Sequence, residues 1–175
     1  MEESTLKYWK DAGHVARRTL EAMKLELTPG KTFHEVIESA ERYIHRHGGK
    51  PAFPGTIAVN DLAAHFTTDH SVNAVEGWDG EMVLQKGDCV KIDFGVHIKG
   101  HIADNALTFE IGNGNEHTEQ IKAAKEARDA AIEMLHPGTP WYKVGQAAAQ
   151  PSLDAGFQPI RNLCGHQLKP WELHA

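Results

Sequence analysis

The sequence predicts a mixed α/β domain of the α+β type, on three observations. A pair of amphipathic helices joined by Pro29-Gly30 is followed, 108 residues later, by a second pair joined by Pro137-Gly138. Between the pairs lies one β-hairpin with alternating apolar residues. No run approaches the roughly 20 apolar residues that a membrane span needs.

The elements follow in chain order. From about Ser4 to Leu27, Leu6, Ala12, Val15, Ala16, Leu20 and Met23 recur at three- and four-residue steps, the period of a helix with one buried face. Thr28-Pro29-Gly30 stops it. A second helix opens at Thr32, where Thr32-Phe33-His34-Glu35 reads as a capping box. Its apolar face holds Phe33, Val36, Ile37, Ala40 and Ile44. Gly48-Gly49 ends it. Residues 50–88 are turn-rich, with extended pieces at Thr56–Val59 and Glu81–Leu84. Val90, Ile92, Phe94 and Val96 alternate with Lys91, Asp93 and Gly95, which predicts a strand. Lys99-Gly100 marks a turn, and His101 to Ile111 runs back. Gly112-Asn113-Gly114 is a further turn, with no phosphate-loop context. An Ala-rich helix covers about Glu116 to Leu135. A fourth begins near Pro140, and Pro151 is expected to kink or end it.

The repeat is ordered. Pro29-Gly30 falls on Pro137-Gly138, Phe33 on Trp141, Val36 on Val144, Ala40 on Ala148, Gly48 on Gly156 and Pro51 on Pro159. A duplicated unit accounts for this series. Residues 1–111 form the first repeat, and residues 112–175 a truncated second one. On the same offset a second hairpin belongs near 198–219, so a chain of 175 residues is expected to stop inside its second half, before all ligands of a site between the halves have appeared.

Composition narrows the function. With 41% apolar residues, 24% charged and a net charge of −6, the chain has ordinary globular values. No Lys/Arg block stands out, so a nucleic-acid partner is not expected. Cys89 and Cys164 form no CxxC, which suits a reducing compartment. Met1-Glu2-Glu3-Ser4 is not a signal peptide, and the reading is a cytoplasmic protein without a membrane segment.

The chemistry concentrates in the hairpin. A two-residue loop at Ile98-Lys99 would set Asp93 directly opposite Asp104, with Cβ atoms roughly 5 Å apart on one face. Paired carboxylates repel, and Asp is depleted from strand interiors. A divalent cation between them, or a proton on one, offsets the cost. A hairpin with a different loop, one Asp solvated, stays open as the alternative. Three histidines have contexts suited to joining the pair. His65 lies in the irregular Leu62–Thr67 segment, His166 follows Gly165, and His174 comes eight residues later. His97 and His101 flank the turn and, like the other histidines, carry no such context.

These segments together resemble the type II methionine aminopeptidases of compact form. The matching stretches are Gly48–Pro54, Ala63–Thr67, Lys86–Asp88 through Asp93–His97, Gly100–Ala106, and Pro159–Leu163 through Gly165-His166 and Leu173–Ala175. Thr68, Asn105, Pro151 and Gln167-Leu168 depart from the family pattern without removing a ligand.

The resemblance implies a pita-bread fold with duplicated halves, and residues 1–175 would be part of its catalytic domain. It implies that Asp93, Asp104 and His166 hold metal, Asp104 bridging two divalent ions (Co, Mn, Fe or Zn). His65 and His174 would contact substrate and the reacting carbonyl, and two glutamates lying beyond Ala175 would complete the site. The implied reaction removes the N-terminal methionine of nascent polypeptides by metal-activated water, near the ribosome, in a monomer. Phe53 and Phe66 are candidates for the pocket wall, with core packing as the competing role. An X-Pro peptidase and a non-catalytic pita-bread homologue remain as rival readings.

Overall fold

A computed structural model describes residues 3–68, 82–112 and 114–175, with side chains from residue 5 onward. Glu81 and Asn113, which the sequence places in an extended piece and a turn, lie outside the described residues. The chain divides into two compact units, one of residues 1–114 with 166–175, the other of residues 115–165.

The first unit holds α1 (Glu3–Glu26), α2 (Phe33–Arg46), β1 (Lys50–Pro51), β2 (Thr56–Val59), β3 (Cys89–Ile98) and β4 (His101–Glu110). Thr32 caps α2 with the full box: the Glu35 N–H donates to Thr32 Oγ1, and the Thr32 N–H donates to Glu35 Oε2. Two otherwise orphaned helix-end donors are satisfied at once. Antiparallel β3 is the centre of the sheet. β4 pairs along one edge, while β2 and β1 share the other, β2 at Val90–Asp93 and β1 at Val96-His97.

Alternation along β3 separates two faces. Val90, Ile92, Phe94 and Val96 are buried against the two helices, in one core with Val15, Leu20, Met23, Phe33, Val36 and Ile44. Burying each such side chain stabilises the fold by about 1.5–3 kcal/mol. The opposite face carries Lys91, Asp93, Gly95 and His97.

The hairpin register differs from the one expected. Lys99 and Gly100, not Ile98 and Lys99, are the turn's central residues, with φ of 49° and 84°. A type I′ hairpin turn, whose twist matches that of the strands, needs positive φ at both central positions, and Gly100 supplies one without steric cost. Asp104 therefore pairs with Gly95, and Asp93 with Ala106. The slip is two residues, one full side-chain period, so both aspartates keep the same face.

The second unit contains α3 (Thr118–Met134) and α4 (Trp141–Asp154), packed on each other. Contrary to the expectation for Pro151, α4 does not end there but runs on to Asp154. Proline removes one ladder donor, yet its carbonyl still accepts from the Ala155 N–H at 3.1 Å, so the last turn closes.

The two helix pairs agree in backbone detail at the offset of 108. The second helix of each pair has 14 residues with corresponding ends. Gly30 and Gly138 have φ of 91° and 88°, and Gly48 and Gly156 both 82°. Lys31 N–H donates to Thr28 C=O, as Thr139 N–H does to His136 C=O. Gly49 N–H reaches Ile44 C=O, as Phe157 N–H reaches Ser152 C=O.

Candidate active site

The outer face of the hairpin gathers the ionisable groups. Asp93 and Asp104 stand diagonally across β3 and β4, each facing a small residue rather than the other. Diagonal neighbours on one face remain within reach of each other. Asp93 Oδ1 is buried and has no hydrogen-bond partner. The Asp93 carboxyl is pushed up to about 7. Burial is the main cause, followed by the Asp104 charge and a hydrogen bond between the two carboxyls, with His166 pulling the other way. Burial and the neighbouring carboxylate both disfavour the anion, so Asp93 keeps its proton well above the usual carboxylate range.

His166 is brought to this pair. Its Nε2 lies 3.3 Å from Asp104 Oδ2. His174 follows, its ring meeting that of His166 edge-on at 4.3 Å between centroids. Both arrive on the segment 166–175, folded on itself by bonds from Lys169 N–H to Glu172 C=O and from Ala175 N–H to Gln167 C=O. Trp171 pins this segment to the hairpin turn. Its N–H donates to Gly100 C=O at 2.9 Å, and its indole lies so close over Gly100 that a Cβ there would come within 2.4 Å of it. Trp171 itself has φ of 65°, a conformation rare for a bulky residue and stored only where surroundings enforce it.

The remaining sequence candidates separate. His65 is exposed, at φ 64° in the loop after β2, and makes no hydrogen bond or ring contact with these four side chains among the described residues. Phe66, the next residue, packs against the core and meets Phe33 edge-on at 6.3 Å. Phe53 instead lies over Gly95 on the aspartate face, where a Cβ would be only 2.2 Å from its ring. Phe53 thus lies on the aspartate face, and Phe66 packs on the core side.

His97 and His101 have structural partners. His97 Nδ1 accepts from the Gly100 N–H, and its ring packs on Trp171 at 5.0 Å. His101 is buried between Tyr8 and Trp9, with Nδ1 near the carbonyls of Ile98 and Lys99. Sequence reasoning missed the close approaches at Gly95 and Gly100, and with them Trp171. A glycine inside a strand is a recognisable sign of close approach, but nothing local marks Trp171 as the partner of Gly100.

As a place for a cation the arrangement fits in part. A buried carboxylate oxygen without a partner, a second carboxylate and an imidazole nitrogen are the donors that a divalent ion takes. Among the described residues, however, no three His, Cys, Asp or Glu side chains converge closely enough to make a complete cage.

Comparison with known proteins finds relatives along nearly the whole chain. The methionine aminopeptidase of Archaeoglobus fulgidus is 37% identical over 175 residues, covering 100% of this chain and 56% of that one. The chain spans about half the length of the curated relatives it matches. A crystal structure of methionine aminopeptidase from Thermotoga maritima superposes with a TM-score of 0.86 at 25% identity, over 100% of this chain and 70% of that one. The prolidase of Pyrococcus horikoshii superposes with a TM-score of 0.81 at 26% identity, over 99% of this chain and 48% of that one. These likenesses place the helices and sheet in the pita-bread fold. The model of metallopeptidase family M24 matches residues 7–175, nearly the whole length, and the chain belongs to that family.

Proposed function

We propose that this chain carries the first part of a methionine aminopeptidase site, with Asp93, Asp104 and His166 as ligands of a two-ion centre and His65 and His174 as substrate contacts. The observation that carries the proposal is the grouping on one face of Asp93, with a buried and unpartnered Oδ1, and Asp104, with His166 Nε2 at 3.3 Å from Asp104. The family implies divalent metal. When bound, such ions polarise a scissile carbonyl and make water a nucleophile near neutral pH.

The chain's own groups prepare that chemistry. Asp93 holds its proton above the usual carboxylate range, and its loss opens two carboxylates on a single face. Trp171 on Gly100 fixes the segment that presents His166 and His174. Phe53 over Gly95 supplies an apolar wall beside the carboxyls, suited to an unbranched side chain such as that of an N-terminal methionine. His65 would reach a substrate from its exposed loop.

The names of the relatives favour methionine release over the X-Pro reading, while the structural likeness extends to prolidases as well. Residues 1–175 alone are predicted to turn over little or no peptide and to bind no pair of ions tightly, because the donor set among the described residues is incomplete. Calorimetric titration with Mn²⁺ or Co²⁺ checks this, and tight binding of two ions would refute it. Joined to the remaining half of the Archaeoglobus fulgidus relative, the chain should release methionine from Met-Ala peptides and leave X-Pro peptides intact. Asp104→Ala should abolish that turnover, and retained turnover would remove Asp104 from the centre.

A further inference from the structure

The segment 166–175 meets the sheet at few points. Among the described residues, the bond from Trp171 N–H to Gly100 C=O is the one main-chain link between them, and Gln167, Lys169, Glu172 and Ala175 bond to one another instead. The hold on the two histidines therefore rests on the hairpin turn. From its other side α1 anchors that turn. Lys99 Nζ donates to the Tyr8 hydroxyl at 2.8 Å, and His101 is buried between Tyr8 and Trp9.

His97 closes the contact. Gly100 sits in the turn, so its N–H has no strand partner, and it donates to His97 Nδ1 at 3.3 Å. The same His97 ring packs on Trp171, with 5.0 Å between centroids and a tilt of 57°. One imidazole thus holds the Gly100 N–H while touching the indole whose main chain holds the Gly100 C=O. His97, Gly100 and Trp171 form a closed ring of contacts, and the missing Cβ of Gly100 leaves the room that the indole occupies. Acceptance at Nδ1 requires that nitrogen to be bare, so neutral His97 carries its proton on Nε2. Burial, and then the charge of Lys50 opposite it on β1, hold the His97 imidazole below its ordinary value and so keep it neutral.

We propose that His97 is a positioning residue: acting through Gly100 and Trp171, it sets where the imidazoles of His166 and His174 stand beside Asp104. That these two imidazoles matter rests on the site reading given above; where they stand does not. The role asks two things of residue 97, an acceptor aimed at the turn and a flat ring against the indole. Imidazole supplies both.

The test uses the metal-free 175-residue chain labelled with ¹⁵N and ¹³C, and it reads geometry rather than turnover. The ring nitrogens of His97 should show the Nε2–H tautomer near neutral pH, and magnetisation should pass strongly between the His166 and His174 rings. His97→Phe keeps a ring against Trp171 and removes the acceptor. Amide exchange at Gly100 and Trp171 should then accelerate about tenfold, the effect of one lost hydrogen bond. The ring-to-ring transfer should fall severalfold while circular dichroism stays unchanged. His97→Asn, whose side-chain carbonyl can accept the same N–H, should keep most of both signals. An Nδ1–H tautomer in the parent, undiminished ring-to-ring transfer in His97→Phe, or an Asn variant that loses both signals would overturn the proposal. Should the Phe variant fail to fold, the tautomer and the Asn variant decide. Absence of methionine release from the joined chain, with these signals intact, would count against the site reading and leave the positioning role standing.

Discussion

α2 and α4 have the same length and corresponding ends, and the glycines before and after them share their dihedral angles. Their environments are nonetheless opposite. α2 buries Phe33, Val36, Ile37, Ala40 and Ile44, whereas α4 buries Val144 alone. α2 starts with a complete capping box, while Pro140 gives α4 no side-chain cap. The comparison separates two roles of sequence. Glycines and prolines set where a helix pair turns. What the pair contributes to stability depends on a sheet that covers it, and among the described residues only the first pair has one in its own unit.

Substitution at the corresponding aromatic positions should break the symmetry most. Phe33→Ala, in the core, should lower stability by about 3–5 kcal/mol. Trp141→Ala, at an exposed position, should stay within about 0.5 kcal/mol. Urea unfolding followed by circular dichroism measures both, and similar losses would show that the second pair is as well covered as the first.

A smaller effect concerns what the first unit carries on its outer face. Burial and the Asp104 charge push the folded Asp93 carboxyl up to about 7 from the ordinary 3.8. Between those values the folded state holds a proton that the unfolded state has released, so stability falls as pH rises from about 4 to about 7 and is flat on either side. Asp93→Asn removes that slope. The variant should exceed the parent by about 1–2 kcal/mol at pH 8, allowing for partial solvent screening, and the two should converge near pH 4. A parent whose metal-free stability does not decline across this window would mean that Asp93 ionises normally.

The smallest test asks for equality. Gly30 and Gly138 both have positive φ and open space around the missing Cβ. Gly30→Ala and Gly138→Ala should each cost about 1–2 kcal/mol through backbone strain alone. Unequal losses would show that the two turns differ in more than what covers them.

Much of this was legible in the sequence because it is local. The step of Phe33, Val36, Ile37, Ala40 and Ile44 gave a helix face, and Thr32 with Glu35 gave its start. Alternation from Val90 to Val96 assigned each side chain of β3 to a face, which is why an error of two residues in register left Asp93 and Asp104 together. The register itself turned on which pair of residues could hold positive φ, and Gly100 decided it. Non-local matters were not legible. Nothing in Lys50-Pro51 announces pairing with Val96 and His97, and nothing in Trp171 announces Gly100. Of the two outcomes expected at Pro151, an end to the helix did not come, because a lost helix donor costs a bond without forbidding the next turn. The arrival of His166 beside Asp104 followed from resemblance, since no spacing rule links residues so far apart in the chain.

The contact of Trp171 with Gly100 also sets an order of events during synthesis. The acidic hairpin is complete once Glu110 has emerged, but the residue that fastens the histidine segment leaves the ribosome about 70 residues after the turn it grips, several seconds later at ordinary elongation rates. For that interval the two carboxyls face solvent without their imidazole. A nascent chain would therefore pass through a stage in which the sheet is built and its carboxylate face is still half made.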